Sequence, residues 1–199
     1  MSKRFLRVAK VGGSLFDFPE LPAALRCWLE AQPGITVLIA GGGPLADSVR
    51  AADQRFQLGE EICHELCLKT MGLSADILAA LLPEASLWRA RDVTREEIAR
   101  AAVPLVVMDP GPLMLQASMK AQLPSTWDVT SDSIAACIAD LIEAQELVLF
   151  KSIDLPPNKT RSQASELGLV DAFFPEATAQ RHTVRWVNLR RTPAVERPL

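Results

Sequence analysis

The sequence predicts an α/β fold, a three-layer α/β/α sandwich built on a mainly parallel sheet. Three observations predict it. Short apolar runs alternate with helical segments along the whole chain, two of those runs close on glycine clusters (Gly12-Gly13 and Gly41-Gly42-Gly43), and no repeat or low-complexity linker divides the 199 residues. Continuous apolar runs of strand length belong to strands covered on both faces, and the strand–helix–strand order implies right-handed crossovers.

Residues 5–11 and 35–40 read as buried strands, each closed by glycine. Between them, residues 20–31 place Leu21, Leu25, Trp28 and Leu29 at helical spacing before the Pro33-Gly34 stop. After the second glycine cluster, Pro44 suits the first turn of a helix running to about Phe56. Residues 60–82 form a longer apolar helix ended by Pro83. Thr94, with Glu97 three positions on, is a capping box opening a helix over 94–102, and 105–108 is the next strand. Pro110-Gly111-Pro112 turns the chain into a helix over 113–123. A helix over 130–144, a strand over 146–150 entering a 151–159 loop, and a late, edge-type strand over 183–189 follow, and 193–199 reads as a frayed tail.

Composition narrows the function. With 49% hydrophobic residues and a mean hydropathy of +0.14 the chain can bury the core of one domain. A net charge of -3 and a pI near 5.5 supply no basic field for phosphate backbones, so nucleic acid is not an expected partner. The apolar stretch after Met1 ends at Lys10, too short for a signal-peptide core, and no later stretch is long enough to span a membrane; a cytoplasmic protein is expected. Cys27, Cys63, Cys67 and Cys137 lack CxxC spacing and are expected to be reduced, buried thiols. No metal-ligand set stands out, since Cys63 and Cys67 share a helix face from which His64 turns away.

Three stretches can carry chemistry, because ligands of open parallel sheets bind beyond the carboxyl ends of the strands. In Lys10-Val11-Gly12-Gly13-Ser14-Leu15, glycines let backbone N–H groups close on anionic oxygens and the lysine adds positive charge. The GxxxxGK[ST] spacing of a P-loop is absent, and a plain tight turn is the alternative. Gly41-Gly42-Gly43-Pro44 puts N–H donors and a helix start at one place. Arg50 lies two turns further on, where it either reaches a substrate phosphate or carboxylate or simply faces solvent. In Trp127-Asp128-Val129-Thr130-Ser131-Asp132-Ser133, Thr130 or Ser131 can cap the following helix and Asp132 suits its first turn; the surplus of hydroxyls and acids also fits lysine and phosphate contacts.

Together, KVGGSL, AGGGP and DVTSDSIAA, followed by a strand ending FKSID, resemble the amino-acid kinase superfamily, which includes N-acetylglutamate, uridylate and isopentenyl phosphate kinases. A narrower similarity, carried by GGGPLADSVRAADQRFQL, the Cys63-His64-Glu65-Leu66 helix and Met71, joins the chain to methanofuran-pathway kinases of an aminomethylfuran-methyl phosphate. The resemblance implies one domain over 1–199, with an acceptor-side half at 1–125, a shortened nucleotide-side half at 126–192 and a tail. It implies an ATP- and Mg²⁺-dependent phosphotransferase with a small anionic acceptor, a phosphate monoester or a carboxylate. Lys10 would stabilise the transferring phosphoryl group and Asp132 would orient the catalytic lysines. Gly12, Gly13, Ser14, Thr130, Ser131, Lys151 and Asp154 would lie against nucleotide or phosphate, and Gly41, Gly42, Gly43, Arg50 and His64 against the acceptor.

The chain also departs from that pattern. The second phosphate-contacting lysine must be Lys151 or Lys159, and Pro44-Leu45-Ala46-Asp47 replaces the histidine segment of isopentenyl phosphate kinases. The asparagine-rich turn of uridylate kinases and the arginine segment of N-acetylglutamate kinases are missing. A non-catalytic member that binds nucleotide or anions, or that serves as an assembly component, is the alternative reading. His64 is either an acceptor contact or a helix-surface group, and His182 has no assigned role. The apolar helices at 60–82 and 113–123 suggest a homodimer or higher homo-oligomer.

Overall fold

The predicted apolar runs do pair into one sheet. The computed structural model describes residues 4–89, 91–100, 103–181 and 183–199. Positions 1–3, the end of the helix expected over 94–102, and His182 lie outside them. Seven strands stand in the order β3-β4-β2-β1-β5-β6-β7. They are β1 (Leu6–Val11), β2 (Ile35–Ala40), β3 (Ser86–Trp88), β4 (Leu105–Met108), β5 (Glu146–Lys151), β6 (Val184–Asn188) and β7 (Val195–Pro198). Every pairing is parallel except β6 with β7.

The helices are α1 (Leu21–Glu30), α2 (Gly43–Phe56), α3 (Glu60–Leu81), α4 (Arg95–Arg100), α5 (Gly111–Met114), α6 (Ala117–Lys120), α7 (Ser131–Leu141), α8 (Arg161–Glu166) and α9 (Phe174–Ala177). Successive strand residues point to opposite faces, so β1 feeds two cores. Leu6 and Val8 join Leu147, Leu149 and the α7 residues Ile134 and Ile138 on one side. Ala9 and Val11 join Val148, Phe150 and the α1 residues Leu21, Leu25 and Trp28 on the other. The three layers predicted are the three layers found.

Several expectations need correction. The tail over 193–199 is not frayed: β7 pairs with β6, Trp28 Nε1 donates to Glu196 at 2.6 Å and Arg185 pairs with Glu196 at 2.9 Å. That strand is held by polar contacts and has an intermediate-to-exposed face, so it carries no hydrophobic pattern to read. It also covers β6, which is therefore not an edge. The helix expected over 113–123 is two short helices, α5 and α6, with Gln116 extended between them. The short strand β3 went unpredicted, its three residues being too few to show a period. The Thr94 box forms as read, with Glu97 accepting from Thr94 N–H at 2.9 Å. Of the cysteines, only Cys63 is buried, and Cys27, on the outward side of α1, is exposed.

The two glycine clusters meet. A Cβ on Gly13 would lie 2.5 Å from both Cα and N of Gly43, and Gly43 itself has φ +53, where side chains are strained. The clusters are thus demanded by backbone packing as well as available for anion contact. Gly13→Ala is expected to cost about 1–3 kcal/mol by overpacking. The check is a thermal melt, in which each kcal/mol should lower Tm by roughly 2–4 °C.

Candidate active site

The β1–β5 register brings the first chemical group into place. Lys10 sits opposite Leu149, so Lys151, two residues further along β5, projects on the same face of the sheet. Helix α7 packs on that face and begins with Asp132 in its first turn, where the helix dipole favours a negative charge. The outcome is a buried three-charge cluster: Lys10 Nζ is 3.0 Å from Asp132 Oδ1, and Lys151 Nζ is 2.9 Å from Asp132 Oδ2. Lys10 and Asp132 are only 5% and 4% exposed.

Electrostatics follow from this burial. Desolvation alone would raise the Asp132 pKa, but the positive charges of Lys10 and Lys151 overcome it and hold the carboxyl at about 2. Burial lowers the Lys151 pKa to about 8; Asp132 works against that shift and Lys10 adds to it. Lys151 also donates to Leu169 O at 2.7 Å and lies 5.2 Å from the Trp186 ring centroid. The Lys10 contact with Oδ1 lacks hydrogen-bond geometry, since that oxygen has no hydrogen-bond partner among the described residues. At most one N–H of the Lys10 ammonium is engaged by Asp132, so the others can face another anion.

A cavity of about 250 Å³ opens beside this cluster. Its floor is glycine, from Gly13 and Gly41 to Gly43, with Ser14 and Ser131 at the wall. Gly12 and Gly41 N–H groups are taken by Phe150 O and Val11 O, both at 2.9 Å. The donors left to a ligand are those at the starts of the Gly13–Leu15 turn and of α2, which have no acceptor within their own helices. The far wall holds Arg50, His64 and Trp127. The Arg50 guanidinium lies 5.4 Å from the Trp127 ring centroid and bonds Asp47 at 2.7 Å, contacts that favour its place at this wall. Trp127 is steadied in turn by Asp53 at 3.2 Å. Burial pushes the His64 pKa down, keeping the imidazole neutral near pH 7.

The sequence-predicted residues thus divide into three groups. Lys10, Asp132 and Lys151 form the charge cluster, while Lys159 makes no ion pair with it among the described residues. Gly13, Ser14, Gly41, Gly42, Gly43, Arg50, His64, Thr130 and Ser131 line the cavity. Asp154 and Gly12 stand apart from both: Asp154 is bonded to Asn188 at 2.7 Å and Arg191 at 2.8 Å, and Gly12 does not line the cavity, its N–H being spent on Phe150 O. The capping expectation is corrected: Thr130 occupies the N-cap but caps nothing with its own side chain, and instead donates its hydroxyl to Asp171 at 2.8 Å. Asp171 is the residue that sequence reasoning missed. It lies 41 positions from Thr130 in the chain, and no local pattern marks it.

No protein-family model matches the chain. Among curated proteins, the [5-(aminomethyl)furan-3-yl]methyl phosphate kinase of Methanocaldococcus jannaschii is 26% identical over 154 residues, covering 75% of this chain and 67% of its own. Solved structures align over nearly the full length. UMP kinase from Ureaplasma parvum has a TM-score of 0.69 at 11% identity, covering 96% of this chain and 93% of its own. UMP kinase from Bacillus anthracis has 0.69 at 10%, covering 94% and 88%. Uridylate kinase from Archaeoglobus fulgidus has 0.61 at 15%, covering 90% and 88%. The chain has the amino-acid kinase fold. In this amino-acid kinase-like domain the charge cluster and the glycine floor both sit at the carboxyl ends of central parallel strands, where that architecture places ligands. Among the described residues, no helix is long and apolar enough to cross a membrane.

The cluster's stability has a pH signature. Because the folded Asp132 pKa is depressed to about 2 from 3.8, its contribution is complete above 3.8 and is lost as pH falls through 2. Asp132→Asn, which leaves two buried ammonium groups facing a neutral amide, is expected to cost about 3–5 kcal/mol at pH 7. In denaturant titrations the gap between wild type and variant should narrow as pH falls from 4 towards 2. A gap that stays constant would show that Asp132 is not ionised in the fold.

Proposed function

We propose that the chain is an ATP-dependent phosphotransferase acting on a small anionic acceptor, and that the acceptor is a phosphate monoester of the kind named for its Methanocaldococcus relative, within synthesis of a methanofuran-type one-carbon carrier. The observation that carries this reading is the buried Asp132 gripping Lys10 and Lys151 against the glycine floor. Phosphoryl transfer passes through a loose transition state with charge on the equatorial oxygens, so positioned cations and N–H donors can supply most of the catalysis. An acceptor phosphate oxygen would attack the γ-phosphorus, the bond from that phosphorus to the β–γ bridging oxygen would break, and ADP would leave with the electron pair. Since the acceptor oxygen is already anionic, no general base is required.

The chain's own groups divide this work. Lys10, desolvated yet with free donors, faces the transferring group, and Lys151 takes the place of the second phosphate-contacting lysine. Asp132 is committed to both ammonium groups. Among the described residues no three His, Cys, Asp or Glu side chains gather as a metal site, and a Mg²⁺ ion would have to enter with the nucleotide. When bound there, the ion neutralises β- and γ-phosphate charge.

The cavity supports a small acceptor. Its volume of about 250 Å³ falls below the roughly 300–1,000 Å³ of pockets that bury drug-sized ligands, and its wall combines a guanidinium, an indole and a neutral imidazole. Arg50 would hold the acceptor phosphate, and Trp127 and His64 would flank its ring. Coverage of 93% of the Ureaplasma UMP kinase chain supports a nucleotide half that retains most of the fold. Exposed Leu73 and Ile77 on α3 support the expected homodimer.

The test is steady-state kinetics, followed by phosphorus NMR, with ATP, Mg²⁺ and the furan phosphate or UMP as acceptor. The furan phosphate should be converted to a diphosphate far faster than UMP. Lys10→Ala should lower kcat on the order of 10²-fold or more. Arg50→Ala should raise the acceptor KM about tenfold with kcat little changed. A folded wild-type protein that transfers phosphate to neither acceptor would favour the non-catalytic reading.

A further inference from the structure

Besides Asp132 itself, the start of α7 is tied to the rest of the fold by the carboxylate of Asp171, which comes from a distant segment. Its Oδ2 accepts from Thr130 N–H at 3.0 Å, from Thr130 Oγ1 at 2.8 Å and from Ser133 N–H at 3.0 Å, and its Oδ1 accepts from Ser133 Oγ. Two of the orphan N–H donors at a helix N-terminus are thereby satisfied by a charged group from a distant segment, a stronger arrangement than a neutral local cap. Asp132 lies between the two residues so held. The same segment reaches the cluster a second time, because Leu169 O accepts from Lys151 Nζ at 2.7 Å.

We propose that Asp171 is a positioning residue for phosphoryl transfer, fixing the first turn of α7 so that the Asp132 carboxylate meets Lys10 and Lys151 at once. This inference rests on the kinase reading given above. Helix α7 is otherwise held by the Asp132 ion pairs themselves, by Asp140 with Arg181 near its far end, and by apolar contacts of Ile134, Ala135 and Ile138, which resist sliding along the sheet less strictly than directional hydrogen bonds do. A helix start displaced by as little as 1 Å would break one of the two Asp132 ion pairs, and misplacements of that size can cost on the order of 100-fold in rate.

Asp171 also acts on Lys151 through space. The groups facing Lys151 are Asp132, Lys10, Asp171 and the Trp186 ring, and the negative charge of Asp171 works with Asp132 to keep that ammonium protonated against its burial. Removing the charge should let Lys151 release its proton at lower pH. A carboxylate that served only the stability of α7 would leave kcat and its alkaline limb unchanged in a folded variant.

The experiment compares Asp171→Asn with wild type by two readouts, using the full chain. The first follows the Lys151 ammonium by NMR of carbon-13-labelled lysine across pH 6–10, which needs no catalysis. The second is the pH profile of kcat with ATP, Mg²⁺ and the furan phosphate. The expected result is a Lys151 midpoint below that of wild type and a kcat lower by about 10- to 100-fold, with both KM values within a few fold and the alkaline limb moved to lower pH. Asp171→Glu, which restores charge but not length, should return the Lys151 midpoint towards wild type without restoring kcat. An unchanged Lys151 midpoint in Asp171→Asn would overturn the proposal, as would an unchanged kcat. A wild-type protein that shows the Lys151 titration but no phosphotransfer would sink the kinase reading instead and, with it, any catalytic meaning of this position. Should Asp171→Asn fail to fold, Thr130→Val and Ser133→Ala, which remove the hydroxyl partners and leave the carboxylate, should lower kcat together; no loss in that folded double variant would overturn the proposal.

Discussion

Everything at this site depends on one buried carboxylate shared by two buried lysines. Isolated, each of these charges would be costly to take out of water; together, Asp132 at 4% exposure and its partners at 3.0 and 2.9 Å offset that cost with mutual attraction. Stability alone does not account for the arrangement, because an apolar replacement of similar volume is often as stable. What it provides is two ammonium groups held in fixed positions where water is scarce. In such a setting charge on a transferring phosphoryl group is stabilised without reorganisation of the surroundings.

The fold supplies this constraint by simple periodicity. A strand's two-residue repeat puts Lys10 and Lys151 on one face of the sheet, and parallel pairing of β1 with β5 sets them at neighbouring carboxyl ends. Helix α7 then lies across that face and presents Asp132 from its first turn. The glycine clusters serve both ends of the problem. They let the Gly13 turn and the start of α2 touch, backbone to backbone, and they leave helix-start N–H groups facing the cavity.

The parts of the site legible in the sequence were those written in contiguous residues. Lys10 with its glycines, the Gly41 to Gly43 cluster and Asp132 within its hydroxyl-rich turn each announce a strand end or a helix start. The choice between Lys151 and Lys159 was not legible, because it rests on β5 running as far as Lys151 and turning it to the α7 face once the register with β1 is set, while Lys159 lies in the loop beyond the strand. Asp171 was hidden for a related reason: its role exists only when a loop far along the chain folds against Thr130 and Ser133. Among the strands, β1, β2, β4 and β5 were plain from their apolar runs, whereas β7 is held by Glu196 contacts to Trp28 and Arg185 and leaves no apolar signature. Of the two hydroxyls read as able to cap α7, Thr130 does take the N-cap position, but its side chain turns to Asp171 because a charged acceptor from another segment outcompetes a local hydroxyl.

The central claim is that the Lys10–Asp132–Lys151 cluster and the glycine floor form a phosphate site. Calorimetric titration of the purified chain with ATP and Mg²⁺, beside Lys10→Ala, tests it most directly. Saturable binding to wild type and clearly weaker binding to the variant are expected, with both proteins folded. Absence of binding at millimolar ATP, or equal binding by the two proteins, would contradict it.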